Sequence, residues 1–218
     1  MLFLDSSDPD EIRALFAWGV LAGVTTNPLL LSREAPKVEL ETRIRAVCKA
    51  SRGPVSVELL AETEQEMIEE GLRYHAWLPE RVVVKVPLSG EIAMRVLAAL
   101  ASRGVPTNAT CLMSFQQAYL AALAGATYVS LLAGRIRDMG YDARPAIAST
   151  RAALDREQLP SRIIIGSIRQ TLDVSEAVDA GAHIVTVPPA VLRKMLVHPQ
   201  TERTVREFND AWKGRGSG

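Results

Sequence analysis

Two periodicities alternate along the chain. Short apolar runs rich in β-branched residues are followed by longer stretches in which apolar residues recur every three or four positions. The first kind predicts buried strands and the second predicts helices with one apolar face. Strands are predicted over 2–5, 24–27, 54–59, 81–86, 105–110, 127–131, 162–167 and 183–187. The first helix starts from a cap at Ser7 or Asp8, with Pro9 in its first turn and Glu11 behind it, and runs to about residue 18. Pro28 stops the second strand, and a helix follows over 37–51. Thr63 caps a helix through residue 77, with Glu66 at capping-box spacing. Further helices are predicted over 89–103, 114–124, 145–157, from Thr171 or Asp173 to 180, over 188–196 and over 201–212. Gly104, Gly125 and Gly181 fall where helices should stop. Residues 134–140 read as a longer loop, and 214–218 as a disordered tail.

Eight strands, each followed by a helix at roughly 25 residues per unit, predict a parallel sheet with right-handed crossovers. Eight such units close into a (β/α)8 barrel, the TIM-barrel architecture, with an additional C-terminal helix. We therefore expect one α/β domain over 1–213. A doubly wound open sheet is the alternative, but the glycine-rich phosphate loop expected after its first strand is missing. The last helix has no strand to cover, so it packs on its own barrel or on a neighbouring subunit.

Composition narrows the function classes. Basic and acidic residues number 25 each, so no charge surplus points to nucleic acid or to an anionic membrane surface. No apolar run is long enough to span a bilayer, and residues 1–5 do not read as a signal peptide. Cys48 and Cys111 make neither a disulfide framework nor a metal quartet, so the cytoplasm is the expected location. His75, His183 and His198 show no metal-ligand spacing, and no metal site is expected.

The candidate chemistry centres on Arg81-Val82-Val83-Val84-Lys85-Val86-Pro87. Leaving an ammonium in such a strand costs several kcal/mol unless it is paired or neutralised. A lysine there is expected to have a depressed pKa and a populated free amine, a nucleophile for carbonyl carbon. The competing reading is an ammonium that reaches the barrel end or pairs with a carboxylate. The other strand ends weigh against a purely structural lysine. Asp5, Thr26 and Asn27, Glu58, Asn108 and Thr110, Ser130 and Ser167 stand at six more of them, on otherwise apolar strands. Arg135 and Arg169 follow the sixth and seventh strands. In a (β/α)8 barrel these groups converge on one mouth.

Each group has a chemical task. Lys85 is the nucleophile, and Asp5 is the proton carrier for carbon–carbon cleavage. Glu58 with Thr110 handles the water lost and regained around the imine. Asn27 and Asn108 suit substrate hydroxyls, with Thr26 and Ser130 beside them. Arg135, Arg169 and Ser167 suit a phosphate, which guanidinium forks bind bidentately. The alternative for the arginines is solvation or pairing with Asp138 and Asp173.

The motifs Leu4-Asp5, Gly23-Val24-Thr25-Thr26-Asn27-Pro28, Val57-Glu58, Val84-Lys85-Val86-Pro87, Thr107-Asn108-Ala109-Thr110, Gly134-Arg135-Ile136 and Ser167-Ile168-Arg169 occur in this order. In this the chain resembles the transaldolase family, and most closely its short branch, which includes the fructose-6-phosphate aldolases. The resemblance covers about residues 2–212. It implies a cofactor-free mechanism in which Lys85 forms a Schiff base with a ketose phosphate. Asp5 takes a proton as the C3–C4 bond breaks, and a dihydroxyacetone unit stays on Lys85. A transaldolase passes that unit to an aldehyde, between sedoheptulose 7-phosphate with glyceraldehyde 3-phosphate and erythrose 4-phosphate with fructose 6-phosphate, the chemistry of the pentose phosphate pathway. An aldolase of this branch releases it as free dihydroxyacetone.

Glu58, where those aldolases carry glutamine, and Asn108, which they lack, resemble the transaldolase pattern. Leu132 stands where the branch usually has an aromatic residue, and Leu131 replaces the usual proline. Arg137 occupies a position where an acid is common. The resemblance also implies a homo-oligomer, a pentamer or decamer, with the last helix crossing to a neighbour through Phe208 and Trp212. The function expected is transaldolase. Release of free dihydroxyacetone and a non-catalytic sugar-phosphate-binding barrel are the alternatives.

Overall fold

The computed structural model describes residues 1–215. Eight short strands form: β1 (Leu2–Asp5), β2 (Leu21–Thr25), β3 (Val55–Glu58), β4 (Val82–Pro87), β5 (Thr107–Leu112), β6 (Tyr128–Leu132), β7 (Arg162–Gly166) and β8 (Ile184–Val187). The helices are α1 (Pro9–Phe16), α2 (Pro28–Glu34), α3 (Leu40–Ala50), α4 (Glu64–Trp77), α5 (Glu91–Ala101) and α6 (Phe115–Leu123), then α7 (Ala133–Asp138), α8 (Arg144–Arg156), α9 (Thr171–Asp179), α10 (Pro189–Lys194) and α11 (Pro199–Gly214). The strands pair in chain order, all parallel, and β8 returns to β1. The result is a (β/α)8 barrel with an extra C-terminal helix. No helix among the described residues is long and apolar enough to cross a membrane.

Strand side chains alternate in direction, so each strand supplies two surfaces. One set, including Val55, Val57, Val82, Val84, Ile163 and Ile165, is fully enclosed and packs in one core with helix residues such as Ile12, Ile44 and Leu97. Each such burial contributes about 1.5–3 kcal/mol, so this shell between sheet and helices carries most of the hydrophobic stabilisation. A separate apolar cluster, Phe3, Ile164 and Ile184 with Ala22 and Tyr128, belongs to the opposite set. Two residues after Phe3, Tyr128 and Ile184, the same side of the strands carries Asp5, Ser130 and Thr186.

Local signals place the helices. Asp8 caps α1 by accepting from the backbone N–H of Asp10 at 3.0 Å, with Pro9 at the first helical position. Thr63 caps α4, and its hydroxyl also donates to the Glu66 carboxylate at 2.7 Å. Ser114 caps α6 in the same way through the N–H of Gln117.

Four expectations change. Pro28 does more than stop a strand, because it opens α2, whose cap is Asn27 accepting from the Leu30 N–H at 3.0 Å. An Asn-Pro pair is a helix start as well as a strand stop. Strand β2 accordingly lies earlier than 24–27 and ends at Thr25. Most of residues 134–140, expected as a loop, belongs to α7, which starts at Ala133 and is anchored by buried Ala133 and Ile136. Six residues are too few to show a helical period in the sequence. At the C-terminus, α11 extends through Gly214 with Arg215 at its cap, so the expected tail begins no earlier than 216. Residues 216–218 of that tail lie outside the described residues.

Candidate active site

Strand register brings the site together. Glu58 of β3 stands beside Lys85 of β4, and Lys85 beside Asn108 of β5. Asp5 of β1 stands beside Thr25 of β2. At the C-terminal end of the strands Asp5, Thr25, Glu58 and Lys85 border a cavity of about 590 Å³. Its wall includes Asp5, Glu58, Lys85, Thr110, Ser130 and Arg135, joined by Asn27, Ser167 and Thr186. That volume suits a small polar ligand.

Lys85 is enclosed, with 8% of its surface exposed. Its Nζ donates to Glu58 Oε2 at 2.8 Å and to the Thr26 carbonyl at 3.1 Å. The pairing reading of the lysine therefore holds, and the partner is itself a candidate catalytic group. Glu58 stands where it can take a proton from the lysine and return one to a departing hydroxyl. Asp5 accepts from the Thr25 hydroxyl at 2.8 Å. Burial away from water pushes its pKa up, against the opposing pull of the Lys85 charge and the Thr25 hydrogen bond. A carboxylate raised in this way holds a proton more readily than an ordinary one, which suits proton transfer.

One step below the cavity floor the layer is polar and internally satisfied. Asn108 donates through Nδ2 to Ser56 Oγ at 3.1 Å and accepts at Oδ1 from Ser130 Oγ at 2.6 Å. Asn108 is fully buried and does not line the cavity. Asn108, expected to contact substrate, stands beneath the cavity with each end of its amide hydrogen-bonded to a neighbouring serine. Thr26 does not line the cavity either. Its hydroxyl donates to the Ser56 carbonyl at 2.8 Å, and Thr25 takes the place on the wall. The one-residue difference in the end of β2 explains the exchange, since successive side chains face opposite ways. Asn27 reaches the wall while its Oδ1 caps α2.

At the rim the two arginines differ. Arg135 of α7 is exposed, lines the cavity and has no ion pair among the described residues. Arg169 forms a two-pronged pair with Asp138 and does not line the cavity, so the ion-pair alternative holds for it. Asp173 organises the turn around Arg169. It accepts from the backbone N–H of Arg169 at 2.8 Å and of Gln170 at 3.2 Å, and from Arg137 Nη1 at 2.6 Å. Those hydrogen bonds hold the Asp173 carboxyl below the usual carboxylate range despite its burial. Arg137, which stands where an acid is common, thus ties α7 to α9.

Ser167 and Cys111 hold left-handed backbone at φ 59° and 60° on the cavity wall. Such residues carry about 1–3 kcal/mol of strain and persist where the surroundings fix them. Gly134 permits the arrangement at Ser167, because a Cβ there would lie 2.2 Å from the Ser167 carbonyl oxygen. Among the described residues, no group of three His, Cys, Asp or Glu side chains could hold a metal ion.

Sequence reasoning missed Thr25, Thr186 and Ser56. Thr186 is the polar residue of the eighth strand, the one strand end left without a candidate. The period-two alternation from Ile184 to Thr186 was the available signal.

A model of the transaldolase/fructose-6-phosphate aldolase family matches residues 2–215. The chain is 39% identical over 213 residues to a probable transaldolase of Oceanobacillus iheyensis, covering 98% of each. It is 41% identical over 211 residues to a probable transaldolase of Desulforudis audaxviator, covering 97% of this chain and 96% of that one. A probable transaldolase of Thermoplasma acidophilum is 38% identical over 213 residues, with 97% and 95% covered. The cavity's lysine, its paired glutamate and the half-buried aspartate are thus features of a chain that belongs to the transaldolase/fructose-6-phosphate aldolase family.

Proposed function

We propose that the protein is a transaldolase, moving a dihydroxyacetone unit between sugar phosphates through a Schiff base on Lys85. The observation that carries this reading is the enclosed Lys85 amine, 2.8 Å from Glu58, on the same wall as Asp5 and Thr110. Lys85 Nζ attacks the C2 carbonyl of a ketose phosphate such as fructose 6-phosphate. Glu58 takes the ammonium proton and returns it to the carbinolamine hydroxyl, which leaves as water, with Thr110 holding that water. Asp5 then takes the C4 hydroxyl proton. The C3–C4 bond breaks, its electron pair passes to the iminium, and the aldose phosphate departs. The enamine left on Lys85 adds to an acceptor aldehyde by the reverse steps. Arg135 and Ser167 hold the substrate phosphate, and Arg169 joins them by exchanging Asp138 for phosphate oxygens.

No metal or organic cofactor takes part in this scheme, and cytoplasmic sugar phosphates are its substrates. Helix α11 supports assembly into a homo-oligomer. It buries none of its residues, and Val205, Phe208 and Trp212 form an exposed stripe at helical spacing.

The test is release of glyceraldehyde 3-phosphate from fructose 6-phosphate, with and without erythrose 4-phosphate. Release that depends on the acceptor is expected. Release without it, with free dihydroxyacetone accumulating, would make the protein an aldolase. Borohydride should trap the donor on Lys85, and Lys85→Ala should abolish both trapping and turnover. Turnover near wild type in that variant would reassign the nucleophile.

A further inference from the structure

The cavity wall holds a second set of groups for which the scheme above has no use. Thr25 Oγ1 lies 2.8 Å from Asp5 Oδ1 and 2.6 Å from Thr186 Oγ1. Thr25 is 3% exposed and Thr186 4%, so water barely competes for either hydroxyl. A hydroxyl has one hydrogen to give. With Asp5 ionised, the carboxylate can only accept, so the Thr25 hydrogen goes to Asp5. Thr186 must then donate to Thr25, and the order of donors is fixed. Each threonine is β-branched and sits on a strand, which restricts χ1 and holds its hydroxyl in place. Asp5 Oδ2, by contrast, has no hydrogen-bond partner among the described residues, although Asp5 lines the cavity.

We propose that Thr25 and Thr186 are positioning residues forming a directed hydroxyl chain. The chain holds Asp5 by Oδ1 and leaves Oδ2 as the oxygen that exchanges the proton with substrate. This rests on the assignment of Asp5 as proton carrier in the proposed function. The proton from the C4 hydroxyl lands on Oδ2, while Oδ1 keeps its bond from Thr25, so the carboxyl does not rotate during the transfer. The chain also favours the ionised carboxylate, the form that must be present before cleavage. It works against burial and against the negative charges of Glu58 on β3 and Glu34 on α2, and alongside the positive charge of Lys85 on β4.

The test is the pH profile of kcat/KM for glyceraldehyde 3-phosphate formation from fructose 6-phosphate with erythrose 4-phosphate, in Thr25→Val, Thr25→Ser, Thr186→Val and Thr186→Ser. Loss of a hydrogen bond to a charged group should raise the acid limb by roughly one pH unit in Thr25→Val. A smaller rise is expected in Thr186→Val, and both serine variants should restore the wild-type limb. Borohydride trapping on Lys85 should survive in all four, because Schiff-base formation does not use the chain. If Thr25→Val does not fold, the two Thr186 variants carry the comparison. The same variants are titrated by NMR at the Asp5 carboxyl carbon, which needs no turnover. A ketose that never traps on Lys85 counts against the proposed function. An Asp5 titration that stays put in both valine variants overturns the hydroxyl chain.

Discussion

Gly134→Ala sets two effects of opposite sign against each other. Gly134 is the second residue of α7, and its backbone φ is not in the left-handed region. On helix propensity alone, alanine there is favoured by about 0.5–1 kcal/mol. The added Cβ, however, would meet the Ser167 carbonyl oxygen at 2.2 Å, the Ser167 Oγ at 2.6 Å and Arg169 Nε at 3.0 Å. A side chain can swing aside, but the nearest atom is backbone. Ser167 must retreat by roughly 1 Å before ordinary contact returns. Its φ of 59° leaves it few alternatives. Overpacking of this kind costs about 1–3 kcal/mol, and the backbone clash puts it at the upper end, so it exceeds the propensity gain. A net loss of about 2 kcal/mol lowers Tm by roughly 4–8 °C in a chain of this size. Because Ser167 lines the cavity, kcat/KM should fall with it, about tenfold or more for a displacement of that size. The checks are thermal unfolding by circular dichroism and the coupled release assay. A Tm that rises, as for an ordinary exposed helical glycine, would refute the steric reasoning.

Asp5→Asn should become progressively more stable than wild type as pH rises. Burial keeps the folded pKa of Asp5 above the unfolded value of about 3.9. The folded chain therefore binds more protons through that window, and wild type loses stability from about pH 4 up through the raised value, while the asparagine chain does not. A Tm difference that stays flat with pH, read by calorimetry, would sink this account. If the proposed homo-oligomer forms through α11, replacing both Phe208 and Trp212, 70% and 71% exposed, by aspartate should give single chains by light scattering, with the barrel's circular dichroism unchanged. A wild-type mass equal to one chain would remove the assembly altogether.

Most of the barrel was legible because its strands are short and β-branched, and several of the helices between them carry side-chain caps. The buried lysine stood out because a charge within a run of valines needs a reason. What stayed hidden was set by single-residue register. The sequence Thr25-Thr26-Asn27-Pro28 offers three polar side chains in succession, and pattern alone cannot say which of two adjacent threonines faces inward. The position of the α2 start decides it, since Asn27 must cap the helix that Pro28 opens. The depth of Asn108 stayed hidden for a related reason. Polarity on an inward strand position marks a residue of the barrel interior, but interior layers differ in depth, and Asn108 sits one layer below Thr110. Helix α7 escaped because its stability comes from buried Ala133 and Ile136 and from pairing of Arg137 with Asp173, contacts between parts of the chain far apart in sequence.

The same depth argument bears on why the site is where it is. A buried lysine–glutamate pair adds little net stability, because desolvation offsets its attraction. Apolar residues would fill the Glu58 and Lys85 positions at no loss to the fold, as Phe3, Ile164 and Ile184 do nearer the other end of the barrel. Yet the polar interior is finished with care. Lys85 has Glu58 and a carbonyl, Asn108 has two serines, and Asp5 has a threonine that has a threonine of its own. In the described residues only two buried side-chain atoms, Arg43 Nε and Thr107 Oγ1, are left without a partner, and neither lines the cavity. Stability gives no reason for so many matched polar groups at one end of the barrel. A site at the mouth does, because these contacts hold Lys85, Glu58 and Asp5 in fixed places around the same cavity.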